Sequence, residues 1–309
     1  MSGRDRVEAR LLPPAQLLAT APWAAATAVM LYGLAVWAGW WAMLAVVVIR
    51  VLFWLRAMLK FWAAPDEITM IRRHRQWPDM VPYGPERTEP FTALVGAMLD
   101  VTKAAGRSDT WLRIVLRTWA PEAAGMALPR RLVAVHISAA RELPPHHLRA
   151  VVAHELGHQL IGGWIFASIQ NLVATPLSDV FGLPSKVLIA VMSVRTRWEI
   201  VPTALMAALY GVFLAALTAA MVPAIGLHSA ATLAMVCVLQ PFPTMWLNWR
   251  GEFLADRVAA DLGFGPALFD YFSTRGTKFE PFSFSHPGLI TREIRICGRV
   301  RDWPSDQED

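Results

Sequence analysis

The sequence predicts a mainly α, integral-membrane fold, with four transmembrane helices and a polar α+β domain carrying a small sheet. Three observations predict it. Of 309 residues, 55% are hydrophobic and only 17% charged, against about 25% charged in an ordinary soluble domain. The longest uncharged or nearly uncharged runs gather in two separate regions of the chain. Between and after them lie polar segments with helical periodicity and one alternating run of strand type.

Residues 1–10 are polar and include Arg4, Arg6 and Arg10. From Leu11 to about Leu55 almost every residue is apolar, enough for two spans of about 20 residues each. Gly33 and Gly39 offer a turn, so a hairpin of 14–33 and 36–57 is expected within an N-terminal membrane unit, 1–60. One long tilted span is the alternative. The stretch far exceeds the 7–15-residue apolar region of a cleaved signal peptide. The Pro-rich "WPDMVPYGPERTEP" at 77–90 reads as a linker or extended loop. "RRLVAVHIS" at 130–138 alternates like a strand, expected at a sheet edge where an extended chain could pair with it.

Pro144 and Pro145 are placed to open a helix. Leu148, Val151, Val152, Leu156 and Leu160 then recur close to a 3.6-residue period. The uncharged runs at 200–224 and 230–249 form a second hairpin, 200–249. Pro241 and Pro243 should kink or break its second helix, and Trp246 and Trp249 suit an interfacial belt. The segment 248–263 reads as a helix leaving the membrane. The polar parts, 61–199 and 250–309, are then halves of one domain split by the second hairpin.

The basic residues agree on orientation. Arg50, Arg56, Lys60, Arg72, Arg73 and Arg75 follow the first pair of spans, and Arg195, Arg197 and Arg250 border the second. The turn "IGLHSA" has no Lys or Arg. By the positive-inside rule, both termini and the polar domain face the cytoplasm. The net charge of +5 comes without a basic stripe or a nucleic-acid motif, so nucleic acid is not an expected partner. Cys237 and Cys297 form no CxxC or ligand-spaced pair, which argues against a disulfide framework and a cysteine-based metal site.

The chemistry gathers in three segments. In "HELGH", His154 and His158 are four apart on a helix, so both imidazoles reach one metal ion. Glu155 projects to the side, within reach of a water at that ion. A metal site of hydrolytic type needs a third protein ligand. In "GEFLAD", Glu252 and Asp256 are one turn apart. Glu252 suits the ligand role, and Asp256 suits the far nitrogen of a ligand histidine. Pairing of these acids with Arg250 or Arg257 on a solvated face is the competing reading. In "FSFSHPGLITREIRI", His286 could donate to an oxyanion and Arg292 could order the acidic residues. His146 and His147, adjacent on a helix, should face apart and sit on the surface.

HELGH at 154–158, EFLAD at 252–256 and SHPGLITR at 285–292 together resemble the M48 zinc metallopeptidases. That family includes the HtpX-like membrane proteases and the CAAX prenyl proteases. The resemblance covers most of the chain from about residue 90. It implies a gluzincin-type catalytic domain with one Zn2+ per chain held by His154, His158 and Glu252. It implies Glu155 as general base, Asp256 buttressing a ligand histidine, His286 near the oxyanion and Arg292 supporting the site. The implied activity is an integral-membrane endopeptidase of a cell inner membrane, facing the cytoplasm and acting on membrane or misfolded proteins. Specific processing of CAAX-like type, or a non-catalytic zinc-containing sensor or scaffold, are the alternatives. Two departures stand out. No Asn occurs in the run before the 130–138 strand, and "QLIGGWIFASIQNLV" after His158 is unusually apolar, which raises the question of whether 160–192 enters the bilayer.

Overall fold

The computed structural model describes residues 3–62, 85–109, 111–117, 124–128, 131–162, 200–275, 287 and 289–300. Most of the described chain is helical, with one three-stranded sheet. It divides into two units. One gathers Met1–Pro13, Leu59–Ile165 and Leu247–Asp309, and the other Pro14–Met58 and Phe166–Trp246. Residues 1–13 thus group with the polar segments rather than with the apolar stretch that they precede.

The first apolar region folds as α1 (Gly3–Ala19), α2 (Ala21–Ala38) and α3 (Trp40–Trp62). Helix begins well before the expected residue 14, and the breaks fall at Thr20 and at Gly39, where φ is 86°. Gly33 stays inside α2. The second apolar region folds as α7 (Ile200–Ile225), then α8 (Leu227–Leu239) after a break at Gly226. Among the described residues, two helical stretches, Asp5–Ala38 and Leu227–Thr274, are long and apolar enough to cross a membrane. Helix α3 leaves Trp41, Leu52, Phe53 and Leu59 largely exposed, an apolar surface out of place in water.

The apolar unit packs through small residues. Leu217 and Met221 of α7 and Trp23 of α2 meet Ala26, Ala230, Ala234 and Cys237. Ala230 and Ala234, one turn apart, are small residues of the kind that lets helix backbones approach closely. The expected break near Pro241 falls at Gln240, and α9 (Pro241–Ala259) starts at the proline itself. Pro241 has no N–H, so it cannot donate to the carbonyl of Cys237 four residues back. The Trp23 indole supplies that donor, with Nε1 2.9 Å from Cys237 O.

In the polar unit, β1 (Arg113–Arg117), β2 (Gly125–Leu128) and β3 (Leu132–His136) form a sheet of order β1-β3-β2. β1 pairs parallel and β2 antiparallel with β3. The strand expected at an edge is therefore the central one. All five residues of β3 are buried, Ala134 as fully as its valine neighbours, so its apparent alternation is one of size and not of exposure. The antiparallel edge belongs to β2.

α4 (Pro85–Ala104) begins within the Pro-rich run expected to be a loop. Pro85 stands at its first position, where a missing N–H costs nothing, and 77–84 lie outside the described residues. α5 (Ile137–Glu142) follows β3. α6 (Pro145–Ile161) starts at the expected proline. Its residues are buried without a gap from Ala150 to Gly157, so it is a central helix and not an amphipathic surface one. Leu94, Met98 and Val101 of α4, Ile114, Val133 and Val135 of the sheet, and Leu148, Val152 and Leu156 of α6 form the core. After α9, a π-helical turn at Ala260–Phe264 leads into α10 (Gly265–Arg275). α11 (Leu289–Val300) packs on α10, with Ser273 Oγ donating to Glu293 Oε1 at 2.8 Å.

Candidate metal centre

A contact between two small residues brings α6 and α9 together. A Cβ on Gly157 would lie 2.7 Å from Ala255 Cα and 2.8 Å from its carbonyl oxygen. The two backbones touch, and no side chain fits at 157. His154 and His158 stand three before and one after Gly157, and Glu252 and Asp256 three before and one after Ala255. Equal offsets from one contact bring the four side chains face to face.

The distances are those of a cage. His154 Nε2 lies 3.1 Å from His158 Nε2 and 3.4 Å from Glu252 Oε2. His158 Nε2 lies 3.4 Å from Glu252 Oε1. Bonds of about 2.0–2.1 Å in tetrahedral array set neighbouring donors about 3.3 Å apart. Neutral imidazoles whose Nε2 lone pairs face each other would repel, so this arrangement calls for a shared proton or a cation. His154, His158 and Glu252 therefore form a group that could hold a metal ion. His154 and Glu252 are buried, while the His158 side chain is 26% exposed, which leaves one flank open to solvent.

A buried ionic network fixes the cage. Asp256 Oδ1 accepts from His154 Nδ1 at 2.8 Å, which points the Nε2 lone pair at the cage. Arg292 on α11 donates to both Asp256 oxygens, from Nε at 2.9 Å and from Nη2 at 2.6 Å. Its Nη1 is 3.3 Å from Glu252 Oε2. The Phe272 ring of α10 supports the guanidinium, 4.4 Å away, a cation–π contact.

The site's charges respond to this packing. Burial, the largest influence, and the Arg292 charge both push the His154 pKa down. Hydrogen bonds and charge from Asp256, with Glu252, outweigh them and raise it to about 10. Burial would raise the carboxyls of Glu252 and Asp256. The charges of His158 and Arg292 hold Glu252 well below the usual range, and Arg292 with His154 lowers Asp256. Burial disfavours the Arg292 charge, but Asp256 and Glu252 more than restore it and raise its pKa. An anionic cage that gathers a proton this firmly suits a cation.

Glu155 is buried on the same helix beside β2. A Cβ on Gly125 would lie 2.8 Å from Glu155 Oε1, so glycine lets the edge strand pass against this carboxylate. Gln159 holds the other end of the strand, with Nε2 donating to Leu128 O at 2.8 Å and Leu132 O at 3.0 Å. Neither Gly125 nor Gln159 was singled out in the sequence. A glycine entering a strand is a signal of close approach, but nothing in the sequence names the neighbour.

The structure thus brings together His154, His158, Glu252, Asp256 and Arg292, with Glu155 alongside on α6. His286 lies outside the described residues, as do 163–199. Arg250 and Arg257 do not take the acids of the cage. They pair with Glu8, at 3.3 and 3.4 Å, and Arg257 also with Asp5, at 2.8 Å, all on α1. His146 and His147 do not face apart. Both Nε2 atoms reach Asp270, and His147 is buried. Placement in the first turn of α6, opposite α10, turns both rings the same way. No family model matches the chain, and no curated protein or solved structure gives a match.

Proposed function

We propose that the chain is an integral-membrane zinc endopeptidase. The observation that carries the reading is the convergence of two histidines and a glutamate, 3.1–3.4 Å apart, from helices far apart in sequence. Two imidazoles and one carboxylate, with one side open, are the donor set of a catalytic rather than a structural zinc site. When bound, zinc supplies Lewis acidity, which makes water nucleophilic near neutral pH and polarises a carbonyl.

The protein's own groups do the rest. Asp256 fixes the His154 tautomer, and Arg292 holds Asp256 in place. Glu155 takes the proton of the attacking water and passes it to the leaving amine, as general base and then acid. The outer edge of β2, which pairs with no further strand among the described residues, is pinned by Gln159, passes against Glu155 and suits an extended substrate backbone that adds as a further strand. Recognition through the backbone places few demands on side chains, which fits membrane or misfolded proteins as substrates. The two apolar regions are read as four spans, with both termini and the polar unit in the cytoplasm.

The test uses detergent-purified full chain with casein and with the chain itself as substrates. Glu155→Gln should keep the zinc content of the wild type and lose cleavage, and a chelator should abolish wild-type cleavage. Near-normal turnover by Glu155→Gln would remove Glu155 as the base. Zinc content that is the same in Glu252→Ala and wild type would remove Glu252 from the ligand set.

A further inference from the structure

We infer a second metal site, distinct from the first, where His146 and His147 of α6 face Asp270 of α10. His147 Nε2 lies 2.7 Å from Asp270 Oδ2, and His146 Nε2 lies 3.4 Å from the same oxygen. One ligand atom from each residue falls within 4.8 Å of the others, and among the described residues only this group and the His154 cage do so.

A salt bridge alone does not explain the arrangement. Asp270 beside the first turn of α6 is favourable simply as a negative charge at a helix N-terminus. That role needs no histidine, and the carboxylate already has His147 as a hydrogen-bond partner at 2.7 Å. A second imidazole turned onto the same oxygen, its ring centroid 4.3 Å from the first, adds nothing to a cap. It completes a set of two nitrogens and one oxygen. Such a set suits a borderline divalent transition ion of the Zn2+ type, and not Mg2+ or Ca2+, which take oxygen ligands.

The geometry allows an ion. The donors must spread to about 3.3 Å. Side chains of His146 and Asp270 are 53% and 55% exposed, so they can move by that much, and solvent can complete the coordination. His147 is the fixed member, buried against Tyr271 with ring centroids 5.8 Å apart. The positive end of the helix opposes a cation here, and the Asp270 charge offsets it. This site should therefore bind more weakly than the buried cage.

The position gives the site a structural effect. His147 precedes His154 by seven residues, two turns along nearly the same face and about 10 Å away. An ion there would clamp α10 to the first turn of the helix that carries the cage. From α10 also comes Phe272, against which Arg292 rests.

The inference does not depend on peptidase activity. Zn2+ uptake is measured on the full detergent-solubilised chain by equilibrium dialysis and metal analysis. Wild type should take up two equivalents, the second at higher free Zn2+. His146→Ala/Asp270→Asn, which alters only exposed side chains, should take up one. In a Glu252→Ala background, Zn2+ should still raise the melting temperature, and adding Asp270→Asn should abolish that rise. A wild type that saturates at one equivalent overturns the second site, as does a His146→Ala/Asp270→Asn chain that still takes up two.

Discussion

Asp256 shows how much a single residue outside the ligand set can govern. It accepts from His154 Nδ1 and is gripped twice by Arg292. Asp256→Asn keeps the shape but loses the charge, and its amide can leave His154 in the wrong tautomer. A fall of about 10–100-fold in zinc affinity is expected, read by competition with a chromophoric chelator. Gly157→Ala tests the helix contact. Its Cβ would meet backbone at 2.7 Å, so the helices must part, at a cost of about 1–3 kcal/mol and with lowered zinc occupancy. Full occupancy and unchanged unfolding in that variant would show that the contact does not set the cage. At this scale the sequence was informative, because His154, His158, Glu252 and Asp256 carry their chemistry in residue type and spacing. The pairing of Gly157 with Ala255 was present in both motifs, but only contact gives it meaning.

The elements were legible where composition is extreme and illegible where a partner decides. Apolar runs announced the long helices, and Pro241 announced the break at Gln240. The central place of β3 was not legible, because strand order depends on pairing with distant segments. β2 is four residues, "GMAL", with no alternation to reveal it. The Trp23–Cys237 bond illustrates the same limit, since an indole 214 positions away replaces the donor that Pro241 lacks. A double-mutant cycle follows from it. Trp23→Phe should cost about 1 kcal/mol in the wild type, the net worth of such a bond. It should cost measurably less beside Pro241→Ala, which restores the backbone N–H. Equal costs in both backgrounds, by unfolding in detergent, would mean the indole does not replace the missing donor.

For the whole molecule, the split of polar segments around apolar ones could be read from composition, but the grouping of residues 1–13 with the polar unit could not. Asp5 and Glu8 reveal their role only through Arg250 and Arg257. On the proposed topology, a C-terminal reporter that fluoresces only in the cytoplasm should be bright, and one active only outside should be silent. The reverse pattern would invert the orientation. Removing the metal should lower the melting temperature, because binding energy at a folded cage is folding energy.

The touching backbones at Gly157 and Ala255 have one more consequence, which concerns ion choice. Donors carried on long side chains over a loose interface can adjust to ions of many radii. Here the proposed ligands spring from two helices whose backbones already touch, so the aperture is fixed from behind. An ion that wants oxygens at about 2.3–2.6 Å would have to pry the helices apart, and a smaller one drops in without strain. On the proposed reading, selectivity among divalent ions would be set by a glycine that touches none of them.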